Sequence, residues 1–133
     1  MKKTLLAIDD DESIEFLLNR AVQKLNLSLN VECVETRCCG LKKIKSGFIP
    51  DLIIVDYYIS FDNLELVEFI ELVRSDDRCA HCEIVIFSGI SKESIIESNL
   101  DKAVKAGANQ VFLKSNDYLR DFKKIFKIIS RLP

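Results

Sequence analysis

The sequence has almost no excess charge of either sign: 19 Lys and Arg stand against 21 Asp and Glu, a formal net charge of -2. No overall basic field therefore directs the chain to nucleic acid or to a membrane surface. Long apolar runs are also missing. Lys2 and Lys3 are followed by five uncharged residues before Asp9, Asp10 and Asp11, too few for the apolar region of a signal peptide. No stretch is long enough to span a bilayer, so a cytoplasmic protein is expected. With only four glycines and two prolines, no linker, repeat or low-complexity segment stands out. The 133 residues suit one domain, 1–133, with nothing left over for an output domain.

Histidine is nearly absent. His81 is the single one, and it lies inside Cys79-Ala80-His81-Cys82. That spacing is ligand-like, but one CxxC without a second pair makes a weak zinc or redox signal. Five cysteines (Cys33, Cys38, Cys39, Cys79, Cys82) are an odd number, which fits reduced thiols better than a disulfide framework. The segment reads as a loop that holds two cysteines.

What is present is regular. Short apolar runs alternate five times with amphipathic stretches. Leu5-Leu6-Ala7-Ile8, Val31 to Val34, Leu52-Ile53-Ile54-Val55, Ile84-Val85-Ile86-Phe87 and Val111-Phe112-Leu113 read as strands. Helical spacing follows each: Ile14, Leu17, Leu18, Ala21, Val22 and Leu25; a helix around Leu41 and Ile44, stopping near Gly47 and Pro50; Leu66, Val67, Phe69, Ile70 and Val73; Ile96, Leu100, Ala103 and Val104; and Leu119, Phe122, Phe126 and Ile129. Ser91 can cap the fourth helix and Gly107 can stop it. Five βα units with near-continuous apolar strands predict an α/β fold, a parallel sheet covered by helices on both faces.

In such a sheet, ligands bind outside the carboxyl ends of the strands. Those ends carry Asp9 and Asp10, Asp56, Ser88 and Lys114. Three carboxylates brought together repel unless a cation neutralises them, and Mg²⁺ suits a few carboxylates plus water. Lys114 can hold an anion that the metal also touches, with a hydroxyl on the other side. Asp56 is then placed to attack phosphorus. Taken singly, each residue also has a plain reading: an acidic first turn or cap for Asp9, Asp10 and above all Asp11, a turn residue for Asp56, a cap for Ser88, a solvated charge for Lys114.

Together these residues resemble the receiver domain of bacterial two-component response regulators, over the whole chain. The resemblance is carried by Leu5-Leu6-Ala7-Ile8-Asp9-Asp10-Asp11, Pro50-Asp51-Leu52-Ile53-Ile54-Val55-Asp56, Ile84-Val85-Ile86-Phe87-Ser88-Gly89, and Gly107-Ala108 followed by Lys114. It implies a single flavodoxin-like, doubly wound (βα)5 domain with strand order 2-1-3-4-5. It implies Asp56 as phosphoacceptor, with Asp9 and Asp10 holding Mg²⁺, one directly and one through water, and the Tyr58 carbonyl as a further ligand. Ser88 would bond a phosphoryl oxygen, Gly89 would leave room for it and Lys114 would pair with it. The implied donor is a phosphohistidine on a sensor histidine kinase or a histidine phosphotransfer protein. The implied output is contact with a downstream protein or onward phosphotransfer, with a phosphorylation-dependent homodimer as an option that no residue singles out. The implied protein is a signalling switch rather than an enzyme.

Four positions depart from the family pattern. Ser115 stands where a proline usually follows the lysine. Ser60 and Leu64 replace a proline and a glycine of the loop after the phosphoacceptor, and Val111 replaces the usual aromatic switch residue. They bear on loop geometry, on the peptide isomer after Lys114, and on how phosphorylation is transmitted to the family's output surface of fourth helix, last strand and last helix, which here includes residues 91–106 and the basic run Lys123, Lys124 and Lys127. That basic run, with nothing aromatic or Gly-rich beside it, reads as a solvated helix face. Two related layouts fit poorly. A flavin binder needs a Gly/Ser/Thr-rich phosphate loop where Asp9 to Glu12 stand, and a haloacid-dehalogenase-type phosphatase needs an acid where Tyr58 stands. The rival from another class is a pseudo-receiver that docks to a partner without being phosphorylated.

Overall fold

The computed structural model describes residues 2–59, 62–89 and 94–131, with 94–97 by backbone alone. In chain order the elements are β1 (Lys3–Ile8), α1 (Ser13–Lys24), β2 (Leu29–Val34), α2 (Arg37–Lys45), β3 (Leu52–Val55), α3 (Leu66–Ser75), a short 3-10 turn (Asp77–Cys79), β4 (Glu83–Ser88), α4 (Ser94–Ala106), β5 (Gln110–Leu113) and α5 (Tyr118–Ser130). All neighbouring strands pair in parallel, in the order β2-β1-β3-β4-β5. The expected five-strand alternation and strand order are both present. β2 is longer than expected, because parallel pairing with β1 recruits Leu29 and Asn30 opposite Lys3 and Thr4.

Period-two alternation, with both faces of the sheet covered, explains why the central runs Leu5–Ile8, Leu52–Val55 and Ile84–Phe87 are apolar without a break. Leu6, Ile8, Ile53, Val55, Ile84 and Ile86 face one core, closed by Ile44, Phe69, Ile70, Val73 and Ala103. Leu5, Ala7, Leu52, Ile54, Val85 and Phe87 face the other, closed by Leu18, Ala21, Phe122, Ile125 and Phe126. Each core residue of this kind contributes roughly 1.5–3 kcal/mol by leaving water.

The helices turn the expected residues inward, with one correction. Ala103 is fully buried and Leu100 packs on the core, but Val104 is 46% exposed. One residue on from Ala103 is about 100° round the helix, which carries Val104 past the margin of the inner stripe. Ser91, Ser60 and the side chain of Ile96 lie outside the described residues. Gly107 ends α4 at φ +131°. A Cβ there would also come within 2.7 Å of the Arg74 side chain, whose Nε and Nη2 donate to the Gly107 carbonyl.

This winding places the site. The chain leaves β1 towards β2 on one side and returns to β3 on the other, so the connections diverge above β1 and β3 and leave a crevice at their carboxyl ends.

Candidate functional site

Register brings the acids together. Ile8 pairs with Val34 on one side and Val55 on the other, so Asp9 and Asp56 leave their strands side by side. The ladder runs one step further: Asp9 N–H donates to Val34 O at 3.1 Å, and Asp56 N–H donates to Ile8 O at 2.9 Å. On the far side Lys114 N–H donates to Ser88 O at 3.0 Å, which ties the ends of β4 and β5. Ser88 is buried, whereas Gly89 is exposed, with open space where a Cβ would sit.

One ammonium serves two carboxylates. Lys114 Nζ donates to Asp9 Oδ2 at 2.8 Å and to Asp56 Oδ2 at 3.2 Å, and it lies 5.6 Å from the Phe87 ring centroid. Both carboxylate side chains are at most 10% exposed. Burial pushes the Asp9 carboxyl above its ordinary value and Asp56 adds repulsion, against the opposing bonds from Lys114 and the Asp11 N–H. Burial alone would lower Lys114, but its bonds and attraction to Asp9 and Asp56 outweigh this and raise it.

Asp9, Asp10 and Asp56 each bring a carboxylate oxygen within 4.8 Å of the others. Oxygens about an octahedral Mg²⁺ stand about 3 Å apart when adjacent and about 4.2 Å when opposite, so the trio can share one ion by closing in on it or through an intervening water. Asp9 also lines a cleft of about 300 Å³ with Asp11, Glu12, Glu15 and Glu35, an acidic mouth suited to a cation. Tyr58 has an exposed side chain, and its N–H donates to Asp56 Oδ1 at 3.3 Å. Asp11 stands apart from the trio. Its carboxylate accepts from the N–H and Oγ of Ser13, which holds its pKa down and makes it a turn residue leading into α1.

Two of the positions that depart from the family pattern, Ser115 and Val111, have packing or bonding partners. No peptide bond among the described residues is cis, so the Lys114–Ser115 bond is trans. Ser115 N–H donates to Asp121 Oδ2 at 2.8 Å, and its Oγ bonds the same buried carboxylate. Val111 packs against the α3/α4 core. The Cys79-to-Cys82 segment does not converge on a ligand site. Both thiols are core residues, burial pushes Cys82 up to about 12, and His81 is half exposed and 3.4 Å from Asp51.

Sequence reasoning passed over Arg37, Asp62, Asn99 and Asp121. Arg37 had one available signal: a cation in the first turn of a helix opposes the helix dipole, so its position asks for a partner. A larger cleft, about 430 Å³, lies beside it, lined by Tyr57, Tyr58, Glu65 and Asn99, but Asp9, Asp10 and Asp56 are not in its walls.

No family model matches the sequence, and no curated protein is found similar to it. Solved structures are similar. The chemotaxis response regulator CheY4 of Vibrio cholerae is 19% identical, with a TM-score of 0.78 over 96% of this chain and 99% of that one. A CheY-like receiver domain protein from Methanospirillum hungatei is 20% identical, with a TM-score of 0.78 over 99% and 97%. The phosphorylated cyanobacterial phytochrome response regulator RcpA is 17% identical, with a TM-score of 0.79 over 99% and 94%. With five parallel strands in the order 2-1-3-4-5 and acids at the ends of β1 and β3, this chain has the fold of the CheY-like response regulator receiver domains over nearly its whole length.

Proposed function

We propose that the chain is a two-component signalling switch that accepts a phosphoryl group on Asp56. The observation that carries this reading is the shared ammonium: Lys114 Nζ within 3.2 Å of both Asp9 and Asp56, beside three carboxylates that fit one divalent cation. A docking module has no use for mutually repelling, buried acids.

Asp9 and Asp10 would hold Mg²⁺ together with Asp56 and the Tyr58 carbonyl. The ion supplies charge neutralisation at the phosphoryl oxygens. One Asp56 oxygen forms the O–P bond as the donor's N–P bond breaks, and the departing imidazole nitrogen keeps the electron pair and takes a proton from solvent. Lys114 leaves Asp56 to pair with a phosphoryl oxygen, Ser88 hydroxyl bonds another, and Gly89 leaves space. The donor is a phosphohistidine on a sensor histidine kinase or a histidine phosphotransfer protein. The phosphorylated form acts by population shift on a downstream protein or by onward phosphotransfer.

Intact-mass measurement after incubation with Mg²⁺ and acetyl phosphate tests this. One added phosphoryl group is expected on the wild type and none on Asp56→Asn. A wild type that gains nothing favours the non-phosphorylated docking module, and a variant that gains as much as wild type puts the phosphoryl group on a residue other than Asp56.

A further inference from the structure

Arg37 is a buried cation outside the reacting group, and its partners all lie on the loop that follows Asp56. Its Nε donates to Leu64 O at 2.7 Å and lies 3.3 Å from Asp62 Oδ2. Its Nη1 reaches the carbonyls of Asp56 and Tyr57, each at 3.4 Å. Its own N–H donates to Asp62 Oδ2 at 2.6 Å, and Asp62 Oδ1 accepts from Leu64 N–H at 3.2 Å. The Asp62 side chain is fully buried and that of Arg37 is 7% exposed. A residue of α2 thus grips both ends of the β3–α3 loop.

Burying this pair is costly. Removal from water works against the charged guanidinium and Asp62 offsets it, and a buried ion pair is seldom a net gain in stability. Its geometric effect is specific: the planar fork addresses four carbonyl or carboxylate groups at fixed angles, which an ammonium cannot do. The same loop has Ser60 and Leu64 in place of the rigid proline and permissive glycine of its relatives' pattern. Something else must fix its path.

We infer that Arg37, paired with Asp62, is a positioning residue for the metal face of the site. By holding the Asp56 and Tyr57 carbonyls it sets the direction in which the next carbonyl, that of Tyr58, is presented to the cation. Arg37 touches neither metal nor phosphoryl group and acts through the loop backbone. This rests on the Mg²⁺-dependent reading of the acids given above.

Arg37→Lys separates position from charge, because it keeps the cation near Asp56 and removes the fork. Calorimetric titration with Mg²⁺ is expected to show binding weakened about tenfold, the lower end for losing a group that orients a metal ligand. Phosphorylation by acetyl phosphate at saturating Mg²⁺ should stay within about threefold of wild type on the same reasoning. Equal Mg²⁺ affinity in a folded Arg37→Lys would overturn the inference, as would a loss of rate that saturating Mg²⁺ does not restore. If the wild type binds no Mg²⁺, the functional reading itself has failed, a result distinct from either.

Amide exchange on the metal-free wild type gives a second test that needs no variant. The amides of Arg37 and Leu64, both bonded to Asp62, should already be protected before Mg²⁺ is added. Free exchange that slows only with Mg²⁺ would mean that the metal, not Arg37, orders the loop.

Discussion

Lys114 stands closer to Asp9 than to Asp56, at 2.8 Å against 3.2 Å. The lysine therefore competes with a cation for both acids. Lys114→Met is expected to bind Mg²⁺ about tenfold more tightly, the equivalent of a charge-assisted bond of about 1.5 kcal/mol that no longer has to be displaced. The same variant should accumulate less phosphoryl group, since it has lost the cation that pairs with it. Calorimetry and intact mass read the two effects separately.

Asp9 gives a pH dependence of definite sign. Its folded pKa is raised, by burial first and Asp56 repulsion after it, so the folded state binds that proton more tightly than the unfolded chain. Without metal, its charged form opposes folding at neutral pH, and the penalty is relieved as pH falls through the raised value towards 3.8. Metal-free Asp9→Asn should therefore melt above wild type at pH 7, and the gap should close on acidification. A gap that widens as pH falls would contradict the sign.

Ser115→Pro makes the sequence more like the family pattern it resembles and is expected to harm this protein. It removes the N–H and the hydroxyl that Ser115 gives to Asp121, stranding a carboxylate that is 7% exposed. The cost should be about 2–3 kcal/mol, the scale of a buried charged acceptor left unpaired. Urea denaturation measures it. A neutral or stabilising substitution would show that Asp121 finds water instead.

Val111 stands where the family pattern that the sequence resembles has an aromatic residue, so any signal is expected to leave the site by another route. No aromatic ring stands there, and the residue beside Asp56 is tied to α4 instead: Asn99 Nδ2 donates to the Tyr57 hydroxyl at 2.8 Å. Beryllofluoride should therefore move α4 against β5 only slightly. Tyr57→Phe should reduce even that response, read as amide shifts at Asn99 and Leu100, while phosphorylation proceeds at within about fivefold of wild type, the scale of one neutral hydrogen bond. A large beryllofluoride shift of α4 and β5 that is unchanged by Tyr57→Phe would rule this route out.

Much of the molecule could be read from the chain, and the reason is local. An apolar run that ends in Asp9 or Asp56 marks a strand and its carboxyl end because strand, burial and direction all follow from neighbouring residues. Once five such runs alternate with helices, handed crossovers leave little choice about where those ends go, so Asp9, Asp10, Asp56, Ser88 and Lys114 could be assigned to one crevice. Val104 was misassigned because an apolar residue at the margin of a helix stripe carries no sign of which side of the margin it occupies.

Only tertiary structure decided the partners. Arg37 and Asp62 are 25 residues apart, and Tyr57 and Asn99 are 42 apart. Ser115 and Asp121 lie closer in sequence, 6 residues apart, but become partners only because α5 buries the carboxylate. Hydrogen bonds of this kind depend on side-chain direction and desolvation at one spot, and no periodicity records either. The sequence by itself determined which polar residues stand at the strand ends. Packing determined how the loops around it are held, because charges as strongly hydrated as those of Arg37 and Asp121 leave water only where the folded chain supplies partners.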